Sequence, residues 1–301
     1  MTDLFARAAA FFRSLQATIT TGLEQADGGE RFREDAWQRP AGGGGYTRVL
    51  EEGRIFEKAG VNWSSVAGEL PDEIAAHTPG EGRTFRATGI SLVLHPRSPL
   101  VPTTHANFRC LEKGGALWFG GGADLTPYYA VRDDIVHFHN TWRVVCDRHD
   151  RGYYRQFKQH CDEYFFLKHR GETRGVGGIF FDYQRGDGSA ESLEKVFAFV
   201  QDAGNAFLHS YLPIVQLHAG ENWDDRQRNW QLERRGRYVE FNLIYDRGTV
   251  FGLKTDGRTE SILMSLPPRV RWGYDRRPDP GTPEAALLEH LRPTDWLGIG
   301  I

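Results

Sequence analysis

The chain contains segments in which polar and apolar residues alternate with a period of two, the period of a β-strand. Successive side chains of a strand point to opposite faces of a sheet. In segment 89–95 one face is entirely aliphatic, and its members are Ile90, Leu92 and Leu94. The opposite face carries Ser91, Val93 and His95. Because the aliphatic face has to be buried, we expect the chain to fold around a sheet with one apolar side and one polar side.

Segment 103–109 alternates in the same way and places three functional side chains on one face: His105, Asn107 and Arg109. A histidine can supply a proton, and a guanidinium can hold a carboxylate through two parallel hydrogen bonds. This combination suits a site that protonates a group beside a carboxylate. For any single strand, the alternative is a half-solvated antiparallel sheet whose outer face is simply polar.

Other parts of the chain have the spacing of three and four residues that is typical of helices. The predicted helices cover 1–26, 131–145, 154–165, 190–211 and 222–235. The predicted strands cover 46–56 at a sheet edge, 83–95, 103–111, 115–120 and 177–183. Strands and helices come in clusters, which favours an α+β fold with a mostly antiparallel sheet. No repeat or linker divides the chain, so 1–301 is predicted to be a single domain with an N-terminal helix within 1–30.

Segments 238–245 and 249–255 also alternate, and the Asp-Arg-Gly sequence at 246–248 between them is typical of a tight turn. The pattern predicts a hairpin. One face of its first strand is polar and consists of Tyr238, Glu240, Asn242, Ile244 and Asp246. Basic residues gather near the hairpin, namely Arg247, Arg258, Arg269 and Arg271. These arginines form either a solvated face or the cluster that an anionic ligand requires.

Charge and missing motifs exclude several function classes. The 37 Lys and Arg residues against 40 Asp and Glu residues give a formal charge of −3, which disfavours nucleic-acid binding. No apolar run of about 18 residues and no secretory signal is present, so we expect no membrane span and a cytoplasmic location. Cys110, Cys146 and Cys161 form no CxxC pair and are predicted to be buried free thiols. The fingerprints of phosphate and dinucleotide sites and of acyl-transfer nucleophiles are absent.

Four histidines are candidates for inward-pointing positions. His95 and His105 lie on polar strand faces, and His139 and His169 extend the apolar stripes of two predicted helices. Imidazoles are common ligands of divalent metals. However, no HExxH motif is present, and an isolated histidine on an apolar face is more often a hydrogen-bonded core residue. Spacing alone favours the core interpretation, with a metal site as the alternative.

Four longer motifs contain these patterns: THANFR at 104–109, WFGGGADLTPYY at 118–129, DEYFFLKHRGETRGVGGIFFD at 162–182 and RGRYVEFNLIYDRGTVFGLKTDGRTESILMSLPP at 235–268. Through them the chain, from about residue 30 to 296, resembles the oxygen-dependent coproporphyrinogen III oxidases of haem biosynthesis. The departures are small: Leu117 stands where relatives usually have a second tryptophan, and Tyr183 where a second aspartate is frequent. The resemblance implies a large, flat antiparallel sheet between helical layers, and a homodimer to whose interface 238–273 contributes.

The resemblance also implies an oxidoreductase that acts on CH–CH groups with oxygen as the acceptor. Such an enzyme decarboxylates two propionate side chains of coproporphyrinogen III to vinyl groups, giving protoporphyrinogen IX, carbon dioxide and hydrogen peroxide. Molecular oxygen is then the co-substrate, and neither flavin nor NAD is needed. Bacterial relatives imply a divalent metal cation, with manganese as the candidate.

Individual site residues follow from the motif match. The resemblance gives His105 as the proton donor. It gives the substrate-binding residues as Ser91, Asn107, Phe108, Arg109, Asp256, Gly257 and Arg258, and the metal ligands as His95, His105, His139 and His169. On chemical grounds, Asp246 is a second catalytic candidate, because a carboxylate can accept hydrogen bonds from pyrrole N–H groups and stabilise positive charge on the ring.

Two alternative function classes stay open. A non-enzymatic haem or tetrapyrrole carrier would also need aromatic walls, arginine clusters and inward histidines. A metal-dependent oxygenase would use His95, His139 and His169 together with a carboxylate. Turnover of coproporphyrinogen in air, before and after removal of metal, distinguishes these classes from a cofactor-free oxidase.

Overall fold

Seven strands form one antiparallel sheet in the computed structural model, which describes residues 3–40, 42–254 and 257–300. In the order in which they lie side by side, the strands are β1 (Arg33–Gln38), β2 (Gly43–Glu51), β3 (Phe56–Glu69), β4 (Thr84–Pro96), β5 (Thr103–Lys113), β6 (Ala116–Thr126) and β9 (Gly177–Gln184). Two short strands, β7 (Phe166–Leu167) and β8 (Glu172–Thr173), form a separate pair. The predicted α+β fold with a mostly antiparallel sheet is confirmed.

Helices pack on both sides of this sheet. They are α1 (Leu4–Asp27), α2 (Asp72–Ala75), α3 (Arg132–Asp147), α4 (Tyr153–Tyr164), α5 (Ala190–His218), α6 (Asp225–Ile244), α7 (Arg247–Lys254), α8 (Thr259–Leu263) and α9 (Pro283–His290). Helices α1 and α5 contact the central strands on the apolar side, and α8 contacts β2 on the polar side. No helix in the part of the chain that the structure describes is both long and apolar enough to cross a membrane.

The N-terminal helix α1 forms where it is predicted. Asp3 caps its start by accepting a hydrogen bond from the backbone N–H of Phe5, and Gly28 ends it in the left-handed conformation at φ 63°. Its buried stripe follows the spacing of three and four residues and consists of Phe5, Ala8, Phe12, Leu15, Ile19 and Leu23. This stripe covers the apolar side of the sheet and leaves the polar side free for α6 to α8.

The two faces of β4 and β5 are assigned correctly by their alternation. Ile90, Leu92 and Leu94 are buried in the core, whereas Ser91 is half-buried on the opposite face. Ser91 lies directly opposite Asn107 of β5, so the polar residues of the two strands share one face. The three cysteines are free and buried, as predicted.

Strands β1 and β3 were not expected, and β2 is not an edge strand. Strand β1 has a charged, largely exposed sequence, REDAWQ, and it pairs with β2 along its whole length. Its strand conformation therefore depends on the neighbour rather than on an apolar face of its own. Strand β3 contains glycine and polar residues and lies between β2 and β4.

The predicted hairpin at 238–255 is wrong, because residues 238–244 and 247–254 are helical. Helix α6 begins at a capping box formed by Asp224 and Gln227 and continues to Ile244, and α7 follows from Arg247. The five residues assigned to one strand face therefore separate: Tyr238 and Asn242 are buried, and Ile244 is 56% exposed. Residue 255, the end of the predicted second strand, and residue 256, a predicted substrate-binding residue, lie outside the described residues.

Candidate functional site

A row of polar side chains crosses the sheet on the side away from α1. Its members are directly paired in successive strands: Asp35, Thr47, Asn62, Ser91 and Asn107. Directly paired residues of an antiparallel sheet point to the same face. We call this set the cross-strand row. Four steps of about 4.8 Å give it a length of roughly 19 Å, comparable to a flat ligand of several fused or linked rings.

The three polar residues predicted on β5 form a connected group at one end of the cross-strand row. Asn107 donates from Nδ2 toward His105 Nε2 at 3.4 Å and accepts from Arg109 Nη1 at 2.8 Å. All three side chains are half-buried, so a ligand on this face can reach them. Phe108 lies between them in sequence, but its side chain is fully buried in the core on the other face. The structure therefore places only the backbone of Phe108 near the site.

His105 is paired with an aspartate that was not predicted. Its Nδ1 lies 2.8 Å from Oδ1 of Asp124, which is directly opposite on β6. Burial opposes ionisation of Asp124, but the charge of Arg174 and the hydrogen bond from His105 lower its pKa overall. Because the carboxylate is ionised, Nδ1 of His105 carries a proton and Nε2 is left to face Asn107.

Arg174 connects this pair to helix α6. Its guanidinium donates to both Asp124 oxygens at 2.8 and 2.9 Å and to Asn242 Oδ1 at 2.8 Å. Three aromatic rings surround the guanidinium. The distances from its central carbon to the ring centroids of Phe165, Tyr238 and Phe241 are 4.1, 4.5 and 4.8 Å. The arginine is buried and its two Nη atoms are hydrogen-bonded to Asn242 and Asp124, so it fixes Asp124 and the imidazole in front of it.

Asp246 lies in the turn between α6 and α7, beside an aromatic wall. Its Oδ2 accepts the Thr249 N–H at 2.7 Å, and its Oδ1 accepts the Tyr164 hydroxyl at 2.9 Å. The ring of Tyr164 stacks on Phe180 of β9 with centroids 4.2 Å apart. Burial and then the charge of Asp246 raise the pKa of Tyr164 to about 12, so its hydroxyl remains a donor at neutral pH.

Arg258 lies at the other end of the cross-strand row. It forms an ion pair with Asp35 on the edge strand β1. Gly257 is held nearby by a hydrogen bond from its N–H to the carbonyl of Gly252, and Ser261 bonds to Thr47 within the row at 2.7 Å. The row is thus bounded by Arg258 at one end and Arg109 beyond the other end.

The four arginines near the predicted hairpin separate into two pairs. Arg258 lies at the row, and Arg247 has its guanidinium 3.9 Å from Asp182 of β9, which also pairs with Arg109. Arg269 and Arg271 are exposed on the surface. Arg258 and Arg247 therefore lie at opposite ends of the sheet, at β1 and at β9, whereas Arg269 and Arg271 belong to a solvated face.

His95 anchors the segment that covers the sheet. Its Nε2 is 2.9 Å from the carbonyl of Ser265, and its Nδ1 is 3.3 Å from Thr103 Oγ1. Burial lowers the pKa of His95 well below its ordinary value, so the ring is neutral and serves as a hydrogen-bonded core residue. Lys58 strengthens the same anchor by donating to the carbonyl of Leu266 at 3.1 Å.

The other two histidines lie elsewhere. His139 is buried between the Tyr154 hydroxyl at 2.9 Å and the Val176 carbonyl at 3.0 Å. His169 was expected on an apolar helical stripe, but α4 ends at Tyr164 and His169 is exposed in the turn between β7 and β8. It bonds to Glu240 at 2.7 Å.

The donor set does not fit the metal site that the resemblance implies. Each ring has its own protein partner, and both nitrogens of His95, His139 and His169 are hydrogen-bonded. Across the described ranges, no group of three or more His, Cys, Asp or Glu side chains is arranged to hold a metal ion. The four histidines are therefore not brought together in the described part of the chain.

Sequence reasoning found the polar face but missed Asp124, Arg174 and Asp182. Asp124 follows three glycines at the end of WFGGGAD, Arg174 follows the β7–β8 pair, and Asp182 follows three apolar residues of β9. The register of β5, β6 and β9 brings Asp124 to His105 and Asp182 to Arg109, and Arg174 reaches Asp124 from the segment after β8. The signal available in the sequence was a carboxylate, Asp124 or Asp182, in a segment that follows the strand predicted to carry His105 and Arg109.

The site combines a hydrogen-bonding floor, a histidine–aspartate pair, an aromatic wall and arginines at both ends. These groups can bind a flat molecule that carries carboxylates. The family model of coproporphyrinogen III oxidase matches residues 7–296, nearly the whole chain. The chain therefore belongs to the coproporphyrinogen III oxidase family, whose members are oxidoreductases of haem biosynthesis that act on a porphyrinogen.

Proposed function

We propose that the protein converts coproporphyrinogen III to protoporphyrinogen IX with molecular oxygen as the electron acceptor. Each of two propionate side chains loses carbon dioxide and becomes a vinyl group, while one oxygen molecule is reduced to hydrogen peroxide. The observation that supports this proposal best is the cross-strand row with an arginine beyond each end. A flat tetrapyrrole needs such a floor, and its propionates need such arginines.

Arg109 and Arg258 hold propionates in this proposal. A guanidinium presents two parallel N–H donors to a carboxylate, which fixes the direction of the side chain as well as its charge. The polar groups of Ser91 and Asn107 lie next to each other between the two arginines. The row therefore holds the ring in one orientation, and this placement itself lowers the barrier to reaction.

His105 holds and moves a proton in the reaction. Its Nδ1 is fixed by Asp124 at 2.8 Å, so Nε2 is the nitrogen that can exchange a proton with bound reactants. Conversion of one propionate breaks a C–H bond and the bond to the carboxylate, and the two electrons released reduce one oxygen molecule to hydrogen peroxide. One of the two protons in the peroxide is balanced by the proton from the broken C–H bond, and the other must be supplied from outside the substrate. His105 is a protonatable side chain that can supply it, and Arg174 keeps its aspartate partner ionised.

Asp246 stabilises the positive charge that develops on the tetrapyrrole. Tyr164 and the Thr249 N–H donate to different oxygens of this carboxylate and hold it in one orientation. A fixed carboxylate can accept hydrogen bonds from pyrrole N–H groups and lower the energy of a cationic ring. The reduced tetrapyrrole is electron-rich, so it can supply electrons to oxygen directly, without flavin or NAD.

We also propose that the protein acts as a cytoplasmic homodimer, with segment 238–273 at the interface. Apolar side chains of this segment are exposed on the single chain: Leu243 at 44%, Ile244 at 56%, Leu253 at 42% and Trp272 at 54%. Leu243 and Ile244 are adjacent at the end of α6, and neighbouring exposed apolar groups often mark protein contacts. Sedimentation of the purified protein measures the state directly.

The proposed reaction is tested by turnover of coproporphyrinogen III in air, under nitrogen and after exhaustive chelation of metal. We expect vinyl product, carbon dioxide and hydrogen peroxide in air, no turnover under nitrogen, and unchanged turnover after chelation. Turnover that disappears on chelation and returns with manganese would assign the reaction to a metal-dependent oxygenase. Binding without turnover in any condition would make the protein a tetrapyrrole carrier.

A further inference from the structure

Asp182 lies between two arginines at the edge of the candidate site. Its Oδ2 is 2.9 Å from Arg109 Nη2 and 3.9 Å from Arg247 Nη2, so both guanidiniums approach the same carboxylate oxygen. Arg109 and Arg247 come from β5 and the start of α7, more than a hundred residues apart in the sequence. This is the arrangement that two arginines adopt around the carboxylate of a bound ligand.

The backbone around Asp182 is adapted to hold this carboxylate in place. The next residue, Tyr183, has a positive φ of 53°, which is uncommon outside glycine, and its N–H donates to Asp182 Oδ1 at 3.0 Å. The Tyr183 ring stacks on Trp118 with centroids 6.2 Å apart. Aromatic packing thus stabilises the unfavourable backbone conformation that aims the carboxylate at the arginines.

A glycine leaves the space that the ion pair occupies. A Cβ atom on Gly120 would lie 2.7 Å from Asp182 Oδ1 and 2.8 Å from Arg109 Nε, too close for either atom to remain in place. Gly120 lies directly opposite Arg109 in the sheet. The side chain of Asp182 is 12% exposed and that of Arg109 is 32% exposed, so the aspartate is the more enclosed partner.

We propose that Asp182 is an internal competitor for the substrate carboxylate, which holds Arg109 and Arg247 in position and limits how tightly they bind a propionate. The inference rests on the function proposed above, in which Arg109 binds a propionate. The guanidinium of Arg109 is partnered by Asp182 and Asn107. An entering propionate must share or replace the Asp182 contact, so the charge of Asp182 weakens binding of both substrate and product.

The test measures binding of coproporphyrin III, the oxidised and stable form of the substrate ring, to Asp182→Asn. Asparagine keeps the shape and an oxygen that accepts from Arg109 but removes the charge. We expect the Kd for coproporphyrin III to fall about three- to tenfold, and KM to fall in parallel while kcat does not rise. The tetramethyl ester of the same porphyrin, in the same detergent, should bind both proteins equally, because it has no carboxylate.

Asp147→Asn is the matched control. Asp147 pairs with Arg143 within α3, at 3.5 Å, and its loss should leave the Kd for coproporphyrin III unchanged. If Asp182→Asn does not fold, Asp182→Ser is the second variant, since a serine hydroxyl is also neutral and can accept the Tyr183 N–H.

The possible outcomes separate this inference from the proposed function. Tighter binding of the porphyrin acid alone supports the role of Asp182. Equal or weaker binding by Asp182→Asn, with the wild-type protein binding normally, overturns that role and leaves the proposed function intact. Failure of the wild-type protein to bind coproporphyrin III at all overturns both. If Asp182→Asn binds the tetramethyl ester more tightly by the same factor, the role is also overturned, because the substitution would then have changed the shape of the site and not only its charge.

Discussion

His105 and Asp124 face each other across two neighbouring strands, with Nδ1 of the imidazole 2.8 Å from the carboxylate. The same carboxylate receives two hydrogen bonds from the buried guanidinium of Arg174. The imidazole is therefore held at Nδ1, while its Nε2 faces Nδ2 of Asn107 at 3.4 Å. An oriented proton carrier of this kind is needed when oxygen is reduced next to a bound substrate.

Replacing His105 with alanine should lower kcat about 10²- to 10⁴-fold, the usual contribution of general acid–base catalysis. The side chain is half-buried on the floor of the site, so thermal stability should change little. His149→Ala is the matched control, because His149 forms a comparable pair with Asp202 at 2.8 Å, away from the site. A His105→Ala protein that turns over at the wild-type rate would remove the proposed role.

Arg258→Lys should raise KM about tenfold, because lysine keeps the charge but cannot present two parallel donors to a propionate. The expected change is in KM rather than in stability, since the ion pair of Arg258 with Asp35 lies at the partly exposed sheet edge. Arg48→Lys is the control on the same edge, where Arg48 pairs with Glu34 at 2.8 Å. Unchanged steady-state constants combined with a lower melting temperature would show that Arg258 has a structural role instead.

The strand faces could be read from the sequence because alternation is a local property. Ile90 and Leu92 had to be buried in any sheet, and this requirement also placed Ser91 on the polar side. The position of His105 and Arg109 on one face followed from the same rule. The exposed edge strand β1 has no such pattern, and its conformation depends on pairing with β2.

The region 238–244 was misread because it satisfies two periods at once. Tyr238, Phe241 and Asn242 also have the spacing of three and four residues of a helix. The helix forms because this face packs around Arg174, which is 68 residues from Asn242 in the sequence. Long-range contacts therefore decide between the two periods, and a local pattern does not contain them.

Helix α6 is held against the sheet by an ion cluster that should make stability depend on pH. Glu57 accepts from Arg228 and Arg235 at 2.6 Å each, and Arg235 also donates to the Pro96 carbonyl at 2.8 Å. Burial opposes ionisation of Glu57, but the two arginines lower its pKa overall. Its folded-state pKa is therefore below the unfolded value of about 4.3, so this stabilisation is complete above pH 4.3 and is lost as the pH falls further.

Glu57→Gln should reduce the free energy of unfolding at pH 7 by about 3–5 kcal/mol, because it leaves the buried Arg235 without its counter-charge. Urea unfolding at pH 7, 4 and 3 should show a smaller acid-induced loss in this variant than in the wild type. Glu194→Gln, which removes a surface pair with Arg7, should keep the wild-type pH dependence. An equally steep loss in Glu57→Gln would assign acid sensitivity to other groups.

Phe241→Ala should affect both stability and catalysis, since Phe241 packs against Phe165 and against the guanidinium of Arg174. Removing this fully buried ring should cost about 3–5 kcal/mol of unfolding free energy. Phe12→Ala, in the buried stripe of α1, should cost a similar amount but leave kcat per folded molecule unchanged. Equal kcat in both variants would show that Arg174 does not need this support.

The Tyr164 hydroxyl should matter for turnover through its contact with Asp246. Tyr164→Phe removes the donor to Asp246 Oδ1 but keeps the ring that stacks on Phe180. We expect kcat to fall about tenfold, the effect of losing one hydrogen bond to a charged group, with KM nearly unchanged.

Two comparisons make the Tyr164 prediction specific. Asp246→Asn, which removes the charge itself, should lower kcat further than Tyr164→Phe and leave binding of coproporphyrin III intact. Tyr129→Phe is the matched control, because its hydroxyl donates to Glu284 at 2.8 Å, a tyrosine–carboxylate bond outside the site. If Asp246→Asn keeps the wild-type kcat, the carboxylate does not stabilise charge on the ring. If Tyr164→Phe keeps the wild-type kcat but Asp246→Asn does not, the Thr249 N–H alone is enough to orient Asp246.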